Sequence, residues 1–430
     1  MPTLASTLPL AARTPAKIRR RILPFVFLLY IVAYLDRANV AFAKLPMTAD
    51  LGFSEAVFGF GAGIFSIGYL LLEIPGALIV ERWSARKWMS RILVSWGLAT
   101  VLIGFVRTPL QFYSVRFLLG AAEAGFFPGI IVYLNHWFAR RDRARAMAGF
   151  ILGIPICLVV GAPLSALILQ LNWLGLAGWR WVFILQGMPA VVLGVVTLFY
   201  LTDHPREAKW LEAEERDWIT AELEAEKQQK RAMGQVSIWR ALRQRNVLLL
   251  AFGLCLANTG GNVFVFWLPT IIRNQSGLSV RLATACSALP FAVGIASLLL
   301  GSRSSDRTGE RRLHTAIPMM VQAVFFTMAG LPGQSFPIVL LWLCLTGAVG
   351  YSWPPPFWVL PTATLGESAA AASIGLINAI GNLGGFIGPT VMGYLLSRNY
   401  TYTTAITFLS SSFLAAGVLI LNVRVRRDAA

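Results

Sequence analysis

Five side chains that carry charge stand inside long apolar stretches of this sequence: Asp36, Arg37, Glu73, Arg116 and Glu123. On insertion scales a charge at the centre of a membrane helix costs roughly 2.5–3.5 kcal/mol. A chain keeps such a group where it pairs, faces a wet cavity or works. An arginine there stays charged and can grip a carboxylate through two parallel hydrogen bonds. A carboxyl group held between burial, which favours its neutral form, and a nearby guanidinium, which favours its charged form, can take up and release a proton. Holding an anion and relaying a proton is the chemistry these types allow. The competing reading is a static ion-pair network that ties helices together.

Spacing sorts the five. Arg116 and Glu123 are seven residues apart, which places them on one helix face about 10 Å apart along the axis. Their heads do not meet without stretching, so a bound carboxylate or a charge from another helix could fill the gap. Tyr30, Tyr34 and Arg37 form an i, i+4, i+7 polar stripe. Asp36 points about 100° away from Arg37, so the two need not serve one partner. Tyr69 and Glu73 are an i, i+4 pair, and Glu73 divides evenly between a working and a structural role. The second half of the chain offers neutral pairs at the same spacing, Asn258 with Asn262 and Asn378 with Asn382. These could bond substrate hydroxyls, or bond between helices, which is typically worth about 0.6 kcal/mol.

The elements that carry these residues are long apolar helices. Of 430 residues 56% are hydrophobic and 13% charged, and mean hydropathy is +0.64. Soluble domains carry about 25% charged residues, so this surface cannot face water throughout. The apolar blocks run to roughly 20 residues, enough to cross a hydrocarbon core as helices. Twelve spans are expected, at about 22–43, 56–80, 89–106, 111–135, 147–170, 179–201, 246–272, 281–301, 313–331, 335–360, 369–396 and 402–423. Both termini are then cytoplasmic. That layout puts most of the 37 Lys and Arg in cytoplasmic segments and few in outer loops. The +17 net charge is thus the positive-inside bias of a membrane protein, and nucleic acid is excluded as a partner. The bilayer is the partner instead.

The chain divides into a basic tail (1–21), a six-helix bundle (22–202), a linker (203–245), a second six-helix bundle (246–423) and a short tail (424–430). The linker balances nine acidic against nine basic residues. It reads as an amphipathic helix lying near the membrane surface, with Trp210, Leu211, Trp218 and Leu223 as its greasy positions. The loops repeat: Glu81, Arg82, Arg86 and Lys87 follow the second span, and Asp306, Arg307, Arg311 and Arg312 follow the eighth. Two six-helix repeats place a substrate site between the halves, near mid-membrane. In span 10, Pro354, Pro355 and Pro356 break the helix, which is tolerated where backbone is buried in protein or lines a cavity. Glycines in spans 5 and 11 read as sliding surfaces. The four cysteines and three histidines have no metal-ligand spacing. No HExxH or HxxxD is present, so an enzyme is not expected, and no cofactor beyond a coupling proton. The first apolar run lacks a cleavage site.

These residues resemble the major facilitator superfamily across almost the whole chain, and within it the anion:cation symporter family. The stretches that carry the resemblance are Tyr34-Leu35-Asp36-Arg37-Ala38-Asn39, Arg116 to Gly129, Gly178-Trp179-Arg180-Trp181 and Asn378 to Pro389. The loop clusters resemble the superfamily's paired signature and imply a gating role, although Ser84 stands where a glycine is usual. Relatives in that family import tartrate, sugar acids, phthalate and other aromatic carboxylates. The resemblance implies proton symport, with Asp36 and Glu123 carrying the proton, and Arg37, Arg116 and Tyr69 facing the substrate. Span 5 lacks the glycine–proline run of drug antiporters. The expectation is a monomeric importer of a small organic anion in a bacterial inner membrane. The asparagine pairs favour a hydroxylated acid, and the span 10 aromatics an aromatic one. A non-transporting sensor on the same scaffold is the remaining alternative.

Overall fold

A computed structural model describes residues 10–232, 244–365 and 367–424. Residues 1–9, 233–243 and 425–430 of the expected tails and linker, and the side chains of Glu81 and Arg82, lie outside the described residues. Among the described residues every regular element is helical. The first half contains α1 (Leu10–Leu51), α2 (Glu55–Arg82), α3 (Ala85–Ile103), α4 (Pro109–Glu123), α5 (Phe126–Asn135), α6 (Arg140–Ile168) and α7 (Gly178–Tyr200). The linker contributes α8 (Ala213–Ala232). The second half contains α9 (Arg245–Ser276), α10 (Val280–Cys286), α11 (Ala288–Thr308), α12 (Arg312–Ala329), α13 (Phe336–Ser352), α14 (Pro354–Leu365), α15 (Glu367–Asn382), α16 (Gly384–Ser397) and α17 (Tyr402–Leu421).

Among the described residues nine helical stretches are long and apolar enough to cross a bilayer. With α3, α6 and α12 they make twelve traverses in two six-helix halves. Large apolar side chains such as Phe199, Leu110 and Leu300 are 83%, 73% and 65% exposed on the outside of the bundle. In water that would be a liability; against lipid it is the expected finish.

Among the described residues four traverses are broken. The fourth splits into α4 and α5 at Gly125, whose φ of 84° is left-handed, a conformation glycine adopts at little cost. Pro128, three residues on, lacks an N–H to continue the ladder. The eighth breaks at Ser287 and the eleventh at Leu383. The tenth breaks at Trp353, directly before the three prolines.

The described part of the basic tail is helical: α1 begins at Leu10 and runs unbroken into the first traverse. At 42 residues it is about 63 Å long and overshoots the bilayer. Its extension is held by the linker: Lys17 Nζ lies 2.8 Å from Glu215, and Arg13 lies 3.3 Å from Glu212. Of the four apolar positions expected on the linker helix, Trp218 and Leu223 lie in α8, whereas Trp210 and Leu211 precede it, and Trp210 stacks on Trp137 at 5.4 Å. The linker is therefore docked on the protein's own charged face.

The halves meet along two seams, α2 against α16 and α6 against α10 and α11, with α1 touching α9. In the repeat the second traverse corresponds to the eighth and the fifth to the eleventh, so the repeat exchanges one seam for the other. The α2–α16 seam is tight because it is made of glycines. A Cβ on Gly59 would collide with the Pro389 carbonyl, and one on Gly393 with the Glu55 carbonyl of α2. Close backbone approach of this kind is what small residues permit in membrane bundles.

Candidate functional site

Arg37, on α1, points into the space between α2 and α4. Its Nε donates to Glu123 Oε1 at 2.5 Å. The Arg37 side chain is 29% exposed and the Glu123 side chain 2%. The guanidinium carbon sits 5.2 Å from the Tyr34 ring centroid, 5.6 Å from Phe65 and 4.9 Å from Tyr69. Three aromatic faces and one carboxylate thus compensate one cation in a low-dielectric surround. Glu123 is the last residue of α4, and the break at Gly125 lies two positions on.

Arg116 lies two turns back along α4. It is 1% exposed. Its Nε and Nη2 donate to the carbonyls of Gly61 and Ala62 at 3.2 and 3.0 Å, and Nη1 has no hydrogen-bond partner among the described residues. The Arg116 guanidinium also lies 5.0 Å from the Phe65 centroid, so Phe65 stands between two arginines. The gap on the α4 face is closed by Arg37, a charge from another traverse. Asp36 turns the other way and accepts from Trp96 Nε1 on α3 at 2.8 Å. Trp96 in turn packs edge-on against Phe126 at the start of α5 at 4.8 Å. Two neighbours in sequence therefore brace opposite ends of the same helix break.

Tyr69 joins this cluster; Glu73, one turn on, reaches across the seam. Glu73 Oε1 accepts from Asn378 Nδ2 on α15 at 2.5 Å, and Asn382 faces the same carboxylate. The other asparagine pair sits differently. Asn258 donates to the Gly381 carbonyl at 3.0 Å, and Asn262 to the Asn258 carbonyl at 2.9 Å. The structure places these two in helix-to-helix and own-helix bonds. The span 10 aromatics also pack on one another: Trp353 and Phe357 are 5.9 Å apart at 88°.

In the loop clusters Arg311 pairs with Asp306 at 2.6 Å and with Ser305 Oγ at 3.0 Å, while Arg307 is exposed. The first cluster recruits a residue the sequence did not single out. Asp203, at the head of the linker, accepts from Ser84 Oγ at 2.6 Å and from the Arg86 backbone N–H at 2.9 Å. It lies 3.9 Å from the Arg86 guanidinium. A second missed group closes the face away from the linker. Lys44, 1% exposed, pairs with Glu55 at 2.9 Å. Glu55 also accepts from Trp267 Nε1 at 3.0 Å and from Tyr402 Oη at 3.3 Å, both in the other half. Lys44 and Glu55 fall just past the ends of the expected first and second spans, which is why the count of buried charges omitted them.

Two helical halves packed on each other through glycines, with the Arg37–Glu123 ion pair buried in the first and the Glu73–Asn378 bond joining it to the second, have the architecture of a polytopic transporter. A family model described as "Major Facilitator Superfamily" matches residues 26–389. A protein of Agrobacterium vitis named "Putative tartrate transporter" is 41% identical, over 96% of this chain and 91% of its own length. The "Quinolone resistance transporter" of Acinetobacter baumannii is 39% identical, over 91% of this chain and 90% of its own length. Among solved structures, the inward-open xylose transporter XylE of E. coli shares the fold, with a TM-score of 0.74 at 16% identity over 95% of this chain and 97% of that one. The chain belongs to the major facilitator superfamily, as a permease of its anion:cation symporter type. It is a multi-pass protein of the bacterial inner membrane and a transporter rather than an enzyme.

Proposed function

We propose that this permease imports a small hydroxylated carboxylate, of the tartrate or sugar-acid kind, together with a proton. The observation that carries this reading is the Arg37–Glu123 ion pair, buried at its carboxylate end and partly open at its guanidinium end. A substrate carboxylate and Glu123 are rivals for one guanidinium. When Glu123 is charged it holds Arg37; when it takes a proton it lets go, and the cation is free for an anion. Arg116, with Nη1 unpartnered among the described residues, is a second cation a turn or two away. Asp36, set on Trp96 behind the same helix break, is the second carboxyl able to load and unload.

Proton loading from the outer side therefore favours anion capture. Proton loss on the inner side returns Arg37 to Glu123 and releases the anion. Movement of the halves about the α2–α16 seam would supply the alternating access. The name of the A. vitis relative supports the substrate class. The self-packed span 10 aromatics give no support to an aromatic acid. The A. baumannii relative's name suggests a second reading, export of a carboxylated drug. Parallel proteoliposome assays with labelled tartrate and with a quinolone test both. Accumulation driven by an inward proton gradient supports import by symport. Uptake indifferent to pH gradient and potential ends the coupling claim, and quinolone movement against the proton gradient favours export.

A further inference from the structure

We infer that Glu73 is the residue that reads a hydroxyl on the bound acid, an assignment that rests on the anion-import reading above. Glu73 is buried, 6% exposed, on α2. Its Oε1 is bonded by Asn378, and Asn382 faces the carboxylate, yet Oε2 is buried and no described residue completes a hydrogen bond to it in this geometry. A buried carboxylate oxygen left without a donor is costly. It is retained where a ligand supplies the donor.

The position fits that role. Glu73 lies one turn beyond Tyr69, whose ring carries the Arg37 guanidinium at 4.9 Å. One turn is about 5–6 Å along the helix, a span a chain of roughly four to six carbons can cross. A carboxylate this close to an anion site repels a plain dianion. It accepts an anion that presents an O–H on that side. The same carboxylate bonds Asn378 of the other half, so the hydroxyl is read at the seam where the halves meet. Asn258 and Asn262, the other candidates for that reading, are occupied in backbone bonds.

The test compares four acids of one chain length on the purified full chain: tartrate, malate, succinate and aspartate. Binding is measured by calorimetry at a pH where all are ionised. Wild type should prefer tartrate over succinate by tenfold or more, with malate between. Glu73→Met should collapse that preference to within about threefold, and Glu73→Gln, which keeps an acceptor oxygen, should fall between. Wild type that ranks succinate level with tartrate overturns the assignment whether or not any variant folds. So does a variant that binds succinate and keeps the full tartrate preference, and so does a preference for aspartate, which would make the donor an ammonium. If wild type binds none of the four and no six-carbon sugar diacid either, the anion-import reading itself falls, a result distinct from loss of hydroxyl discrimination alone.

Discussion

Arg37 and Glu123 are 86 positions apart in the chain and 2.5 Å apart in space. The pair joins α1 to the last residue of α4, immediately before the Gly125 break, so its state bears on both the anion site and the local geometry of the fourth traverse. Arg37→Ala would leave Glu123 buried and unpaired. The expected cost is about 3 kcal/mol of stability and loss of carboxylate uptake by at least about a hundredfold. Arg37→Lys keeps the charge but not the planar fork, and should restore most of the stability with little of the uptake. Thermal unfolding in detergent beside proteoliposome uptake separates the two effects.

Glu123→Gln removes the group that loads the proton without removing its volume. Counterflow of labelled against unlabelled acid, which needs no net proton movement, should persist in this variant. Uphill accumulation driven by a pH gradient should vanish. Equal loss of both would make Glu123 a structural partner of Arg37 and nothing more.

The face away from the linker is held by Lys44, Glu55, Trp267 and Tyr402, two residues from each half. Glu55→Gln leaves the buried Lys44 ammonium without its carboxylate. With Glu55 itself 31% exposed, about 1–3 kcal/mol is expected. Trp267→Phe removes a cross-half hydrogen bond and keeps most of the packing. A double-mutant cycle between Glu55→Gln and Trp267→Phe should show coupling of at least about 0.5 kcal/mol. Both variants should raise the reactivity of a cysteine in place of Ser66, which faces Gly385 of α16 deeper along the same seam. Unchanged labelling would show that these contacts do not hold the seam shut.

Much of this was legible in the sequence, and the parts that were not share a cause. Period and hydropathy give the twelve traverses, because a lipid-facing helix must be apolar whatever it packs against. Angular spacing alone separates Asp36 from Arg37, and the structure sends them to Trp96 and Glu123. What spacing cannot give is rotation of one helix about its neighbour. That rotation decides that Arg37 is the charge from another helix that meets Glu123, and that Asn258 bonds Gly381 while Asn378 bonds Glu73. The Gly125 break was hidden inside a run of unbroken hydropathy. Asp203 was hidden because its partners, Ser84 and Arg86, lie more than a hundred residues earlier. Its meeting with them depends on the seventh helix returning to the same face.

The α2–α16 seam makes a steric prediction. Gly59→Ala would put a methyl against the Pro389 carbonyl and the Gly393 Cα, both backbone and unable to swing aside. Overpacking of this kind costs about 1–3 kcal/mol, and here the strain is relieved by parting the halves. Uptake should fall severalfold while expression and membrane insertion hold. A cysteine reporter on the outer part of α16 should become more reactive. Normal uptake would mean the seam is looser in the membrane than its glycines imply.

The linker latch makes a prediction about pH. Burial pushes the Glu215 carboxyl up, but the Lys17 hydrogen bond, the Glu212 backbone N–H and the nearby Arg13 outweigh it, so the group sits below the ordinary glutamate range. A carboxyl whose pKa is depressed on docking binds its proton more weakly docked than free. Its contribution is therefore complete above the free value of about 4.3 and is lost as pH falls through the docked value. α8 should stay protected from hydrogen exchange across pH 5–8 and loosen only in more acid buffer. Glu215→Gln should loosen it at neutral pH by an amount that salt does not deepen. In wild type, high salt should mimic the variant in part, because Lys17 is 39% exposed and its share of the pairing is screened. If exchange in α8 were the same in wild type and variant at pH 7, the helix would be held by Trp210, Leu211 and Trp218 alone, and the charges at Arg13 and Lys17 would be ornaments of the positive face.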